Sequence, residues 1–226
     1  IYVYDQASDD RSLDVYSQSK KTTVIQSNIN DFHKEILCKR VLLKKLLKEH
    51  PDVDWIFWLD GDTLLDGRLL RNNAQQIKRI LKKASSQNID TIILGHLNLW
   101  RSDTYYRVDN DYNWLHTHGV KAFWRNNGNL NFPKTTGLHQ QQYPNGMKSE
   151  IRINRNLIHR GFSTDYQIKT RYDVYKKKGQ KGHSLDRLLD EKTLLVSRLD
   201  VEMLPEWFKI TDDVNPKFKT RILEKK

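Results

Sequence analysis

Two aspartates one residue apart close the most apolar short run of the chain, Trp55-Ile56-Phe57-Trp58-Leu59-Asp60-Gly61-Asp62. Alternate residues of an extended segment point the same way, so Asp60 and Asp62 could share one hard divalent cation. Carboxylate oxygens suit Mn, Mg or Ca rather than zinc. Gly61 between them would let a diphosphate come close to the backbone. Two neighbouring carboxylates at the end of an apolar strand repel each other, so a cation or an arginine is expected beside them. Asp-Gly is also a favoured hairpin turn. A hairpin would be followed by an alternating strand, however, whereas Thr63-Leu64-Leu65-Asp66-Gly67 breaks away toward a helix. The metal reading is the better one.

Other residues could join that chemistry. His159 ends an apolar segment and precedes Arg160-Gly161, which makes it a candidate to line the site beside its more ordinary role as a core histidine. His139 is a weaker second. Between Trp100 and Asn113, aromatic rings, guanidinium groups and carboxylates interleave. Such faces suit sugar rings, whose apolar C–H surfaces are edged by hydroxyls; an ordinary loop with its rings packed inward is the competing reading. If a sugar were transferred with inversion, a carboxylate must accept the acceptor's proton. Asp109 and Asp111 are the candidates, with Glu150 behind them. Cys38 falls among apolar residues of a helical pattern and reads as packing.

These residues need elements to hold them. Residues 1–5 and 22–26 read as strands, with a short helix inside 11–20. Asp31 looks like the N-cap of a helix whose apolar positions Phe32, Ile36, Leu37, Val41, Leu43 and Leu47 recur at helical spacing up to His50-Pro51. Trp55–Leu59 reads as a strand buried on both faces. A helix over 67–84 leads to a strand at 89–95. Strands alternating with helices predict an α/β chain with a mostly parallel sheet flanked by helices. Residues 96–150 lose periodicity and read as short strands and loops around a cleft. Beyond them come a strand near 156–159, helices at 165–178 and 185–189, and a charged tail from Pro205 expected to drape over the surface. No repeat or low-complexity linker interrupts the chain, so one domain is expected.

Asp60-Gly61-Asp62 after an apolar strand resembles the Asp-x-Asp motif of nucleotide-sugar-dependent glycosyltransferases of the GT-A fold, particularly family 2. Tyr4-Asp5-Gln6-Ala7-Ser8-Asp9-Asp10 is similar to that family's Asp-x-x-Ser-x-Asp turn, and Leu157-Ile158-His159-Arg160-Gly161-Phe162 to its late strand. The resemblance spans about residues 1–190. It implies a GT-A-like, Rossmann-like fold with a nucleotide-sugar-binding half at 1–95, an irregular acceptor-side half at 96–190 and an extension at 191–226. By the same resemblance Asp5, with Asp9 in the same turn, contacts the nucleotide, and Lys39 and Arg40 face the diphosphate. Asp60, Asp62 and His159 hold Mn or Mg, and Gly61 lies against the donor, a UDP-sugar. The family's first strand and helix would precede Ile1; the chain opens without Met and inside a strand, which points to a preceding segment.

Composition sets the remaining bounds. With 226 residues there is room for a substantial core, and six Trp among 10% aromatic residues exclude a disordered tail. A single cysteine excludes an internal disulfide and fits an intracellular, cytoplasmic setting. No apolar run approaches the roughly 20 residues of a bilayer span, although association with a membrane surface is compatible with the charge. Of the net charge of +11, +7 lies in 151–226, and nine basic residues fall within 151–183. That stretch would suit a polyanion such as nucleic acid or an anionic surface. The expected function is metal-dependent sugar transfer to a carbohydrate or other hydroxyl-bearing acceptor, with a polyanionic acceptor compatible with the charge. The rival is a nucleic-acid-binding module without catalysis, which leaves the carboxylate pair without a purpose.

Overall fold

The computed structural model of the protein describes residues 1–28, 35–109, 112, 116–134, 143–177, 179, 188–189, 194–210 and 221–223. The expected N-cap Asp31, the candidates Asp111 and His139, and most of the expected 185–189 helix lie outside them. The chain divides into two compact units, residues 1–56 with 124–149, and residues 57–123 with 150–226.

In the first unit, β1 (Tyr2–Gln6) and β2 (Thr23–Ser27) pair in parallel, in register from Tyr2 opposite Thr23 to Gln6 opposite Ser27. The short helix α1 (Ser12–Ser17) lies between them in sequence. Helix α2 (Glu35–Glu49) buries Ile36, Leu42 and Leu43. Lys39 falls on the same stripe and is almost fully buried, which is tolerable because its Nζ reaches Glu35 one turn back at 2.6 Å.

A five-stranded sheet follows the order β3 (Trp55–Phe57), β7 (Val120–Arg125), β5 (Thr91–Asn98), β8 (Glu150–His159), β4 (Thr63–Leu65). β5 and β8 are parallel, but β4 runs antiparallel to β8. The sheet is therefore mixed, and these pairings do not establish the mostly parallel arrangement expected from alternation. The cause is local: after Asp62 the chain turns back as a three-residue strand before its helix begins. β3 also departs from expectation. It is an edge strand, and Phe57 and Leu59 are 36% and 40% exposed, so the run is not buried on both faces.

Six residue steps from Phe57 to Thr63 reach at most about 20 Å, while a flat five-stranded sheet is about 19 Å from edge to edge. A turn closed by Thr63 N–H on the Asp60 carbonyl at 3.0 Å shortens that reach. The sheet must curl to bring its edges together, and the aspartate segment crosses its end.

Helix α3 (Gly67–Ser86) starts under the N-cap Asp66, whose Oδ1 accepts the Arg68 N–H, and is broken at Arg71–Ala74. A third sheet joins β6 (Tyr105–Arg107), β9 (Leu195–Arg198) and β10 (Arg221–Leu223). β10 pairs in parallel with β9, so this part of the tail is knitted into a sheet rather than draped. Helix α4 (Asp165–Lys177) packs Ile168, Tyr172 and Tyr175 against Trp100, Phe162 and Val196. No helix among the described residues is long and apolar enough to cross a membrane.

Candidate functional site

The strand registers of the second unit assemble the site before any side chain is considered. His159 is the last residue of β8. It stands opposite Asn98, the last residue of β5, on one side and opposite Thr63, the first residue of β4, on the other. Asp62 precedes Thr63, and its carbonyl accepts the Arg160 N–H at 2.8 Å. Ligands of open α/β sheets bind at the carboxyl ends of parallel strands, which is where β5 and β8 stop.

The side chains continue that order. His159 Nε2 is 3.1 Å from Asp62 Oδ2, and its Nδ1 is 2.8 Å from Asn98 Oδ1. The Asn98 oxygen takes the Nδ1 proton, which leaves Nε2 facing the Asp62 carboxylate. The Asn98 amide nitrogen lies 3.4 Å from Nδ1 of His96, two residues back on the same face of β5. Burial, then the charge of His159, pushes His96 down to about 3, with Asp62 pulling the other way. A neutral His96 accepts from Asn98 and so fixes which end of the amide faces His159. Arg171, from α4, donates to the same Asp62 oxygen as His159. Burial disfavours the Asp62 carboxylate, yet the hydrogen bond and charge of His159 and the charge of Arg171 outweigh it and hold its pKa well below the usual range.

Asp60 faces elsewhere. It is exposed, and its Oδ1 accepts the indole N–H of Trp58 at 3.0 Å. Among the described residues no three acidic, histidine or cysteine side chains converge as a metal cage would. Two donors nonetheless fit one ion. Ligand atoms at right angles, each about 2.1 Å from a Mg-sized cation, lie about 3 Å apart, and Asp62 Oδ2 and His159 Nε2 stand at 3.1 Å. The ring's other nitrogen is held by Asn98, as ligating histidines are held by a second partner. The carboxylate oxygen suits Mn or Mg, whereas an imidazole nitrogen suits transition-metal ions, so of the two Mn fits the pair better. At Gly61 an added Cβ would meet nothing within 4 Å, so the backbone there faces open space.

The other candidates are placed as follows. Asp109 is 7% exposed, and both its oxygens are taken by Arg107 Nε and Nη2, at 2.7 and 2.9 Å. Arg107 lies between the rings of Trp100 and Tyr112, at 4.4 and 4.6 Å. Here the interleaved aromatics serve as core: Trp100 is 2% exposed and Tyr106 6%. Glu150 pairs with Lys121 at 2.7 Å. In the first unit, Asp5 is buried and its Oδ1 accepts the Ser8 N–H at 3.0 Å, closing the turn after β1. Asp9 is exposed and Arg40 half-buried on α2. Cys38 Sγ accepts from the Gln6 amide at 3.2 Å, a packing role.

Sequence reasoning missed His96, Asn98 and Arg171. Arg171 carries a legible signal, since it lies three residues after Ile168 and four before Tyr175 on the apolar stripe of α4. His96 and Asn98 sit two apart at the end of an apolar strand, the same signal that singled out Asp60 and Asp62.

Residues 14–119 match the model of the galactosyl transferase GMA12/MNN10 family. A search of curated proteins returns no match. The matched span contains Asp60-Gly61-Asp62, His96 and Asn98 and ends before β8, so His159 and Arg171 lie beyond it. The match supports a glycosyltransferase, without pointing to family 2 in particular. It favours sugar transfer over the nucleic-acid-binding reading.

Proposed function

We propose that the protein moves a hexose from a nucleotide diphosphate sugar to a hydroxyl-bearing acceptor, with a divalent cation held by Asp62 and His159 and completed by Asp60. Galactose is the sugar named by the matched family, and a UDP-sugar is the donor expected from the sequence resemblance. The observation that carries the reading is the meeting of Asp62 and His159 at 3.1 Å across the carboxyl ends of β5 and β8. Mn or Mg bound there would offset the negative charge that grows on the leaving nucleoside diphosphate.

The chain's own residues do the positioning. Asn98 holds the His159 ring so that Nε2 points at Asp62, and His96 holds Asn98. Asp60, exposed on the same short segment, can turn from Trp58 toward the ion without disturbing the core. Gly61 leaves the backbone open to phosphate oxygens.

The test is UDP release from UDP-galactose and related donors, with Mn present or chelated. Asp62→Ala should lower turnover at least about 100-fold while the circular dichroism spectrum is kept, a loss of the size seen when one electrostatic contact to a developing charge is removed. Retained turnover in that variant, or full turnover after chelation, would remove the metal from the mechanism.

A further inference from the structure

Arg171 occupies an unusual position for a cation. Ile168, Tyr172 and Tyr175 carry α4 into the core, and Arg171 shares their stripe. A guanidinium placed there must find acceptors or remain stranded. It finds Oδ2 of Asp62, the oxygen already facing His159 Nε2, and its Cζ lies 5.0 Å above the Phe162 ring. A second nitrogen reaches the Tyr175 hydroxyl at 3.5 Å, at the limit of a hydrogen bond.

Gly161 makes room for this pairing. A Cβ there would lie 2.6 Å from both Arg171 Cζ and His159 Nε2. One carboxylate oxygen thus carries a ring nitrogen and a guanidinium together. A cation joining Asp62 to His159 must approach the oxygen that Arg171 holds, so the two compete.

We propose that Arg171 is a displaceable counter-ion: it neutralises Asp62 in the free protein, yields that oxygen to the divalent cation, and then binds the diphosphate of the donor. The proposal rests on the reading that Asp62 takes the cation. Both side chains are about a third exposed (30% for Arg171, 35% for Asp62), so the head group can leave without unpacking the helix. A planar guanidinium released beside a bound cation suits the paired oxygens of a diphosphate.

Calorimetric titration of the full chain with MnCl₂, followed by UDP at saturating Mn, tests this in wild type, Arg171→Gln, Arg171→Lys and Asp62→Asn. Arg171→Gln should bind Mn about 2- to 5-fold more tightly, the scale of a partly exposed ion pair, and should bind UDP about 10-fold more weakly or worse. Opposite signs are the signature, because a residue that merely braced the site would weaken both. Arg171→Lys keeps the charge and should fall between the two in each titration. Mn affinity unchanged or weakened in Arg171→Gln, or UDP affinity unchanged, overturns the proposal. Unchanged Mn affinity in Asp62→Asn would instead overturn the metal reading beneath it.

Discussion

At the scale of single residues, the fate of Arg107 and Asp109 shows how one composition supports two readings. Guanidinium, carboxylate and aromatic rings that could cradle a sugar instead satisfy one another, with the bidentate pair closed at 2.7 and 2.9 Å between Trp100 and Tyr112. Removing one member of a buried pair strands the other charge and costs about 3–5 kcal/mol. Asp109→Asn should therefore lose stability on that scale in urea unfolding, whereas a catalytic base would lose turnover with stability kept. His96 gives a second prediction. With its pKa held down to about 3 in the fold, the unfolded chain takes up this proton first, near the ordinary histidine value of about 6.5. More protons on the unfolded state mean that stability falls as pH falls between those two values. The urea midpoint should drop from pH 7 to pH 5, and His96→Gln should flatten that drop. An equal drop in both proteins would show that His96 is not held neutral.

At the scale of elements, what the sequence discloses depends on the range of the interaction. The strand ending at His159 and the helix beginning at Asp165 were readable because apolar spacing and charge are local. The meeting of Asp62 with His159 is expected from the family resemblance and not from local pattern, because it depends on Thr63 and Asn98 both pairing with a residue at least 60 positions downstream. The edge position of β3 is hidden for the same reason: five apolar residues in a row look alike in the middle of a sheet and at its border. Helical spacing in the sequence runs through the break in α3, where Asn72, Asn73 and Ala74 take positive φ of 53°, 55° and 58°. Adjacent asparagines are the sequence signal that helical periodicity overrode. Gly161 tests whether the loop after β8 is shaped for the site or for the fold. Its neighbours are the movable head of Arg171 and the ring of His159, which Asn98 holds. Gly161→Ala should change stability by no more than about 1 kcal/mol, because an arginine head can swing away, and should weaken Mn binding about 10-fold by pushing the His159 ring off Asp62. Gly67→Ala is the contrast. Its Cβ would lie 2.6 Å from the Leu204 carbonyl carbon and 2.9 Å from Pro205 N, backbone that cannot rotate aside, so stability itself should fall. Unchanged Mn affinity in Gly161→Ala would detach this loop from the site.

At the scale of the whole molecule, the basic excess of 151–183 is in part internal wiring. Arg152 donates to the His116 carbonyl at 2.6 Å, Arg160 reaches Asp103 at 3.3 Å and covers Phe208, and Arg171 pairs with Asp62. The same stretch supplies the strand that the earlier sequence needs. The matched span ends at residue 119, and each compact unit is assembled from two separate lengths of chain. A fragment of residues 1–123 would keep Asp60-Gly61-Asp62 but lose β8, the partner of β5 over Thr91–Asn98 and of β4 over Thr63–Leu65. It would also lose Ile158, Phe162, Ile168 and Val196, which fill the core around Leu97, Leu99 and Trp100. Apolar burial is the main favourable term in folding, and net stability is a small remainder of large opposing terms. The fragment should thus show no cooperative melting transition, bind a hydrophobic dye, and gain nothing from Mn. A cooperative melt in residues 1–123 would mean that the aspartate motif sits on a self-sufficient unit, and that β8 brings His159 to a fold already made.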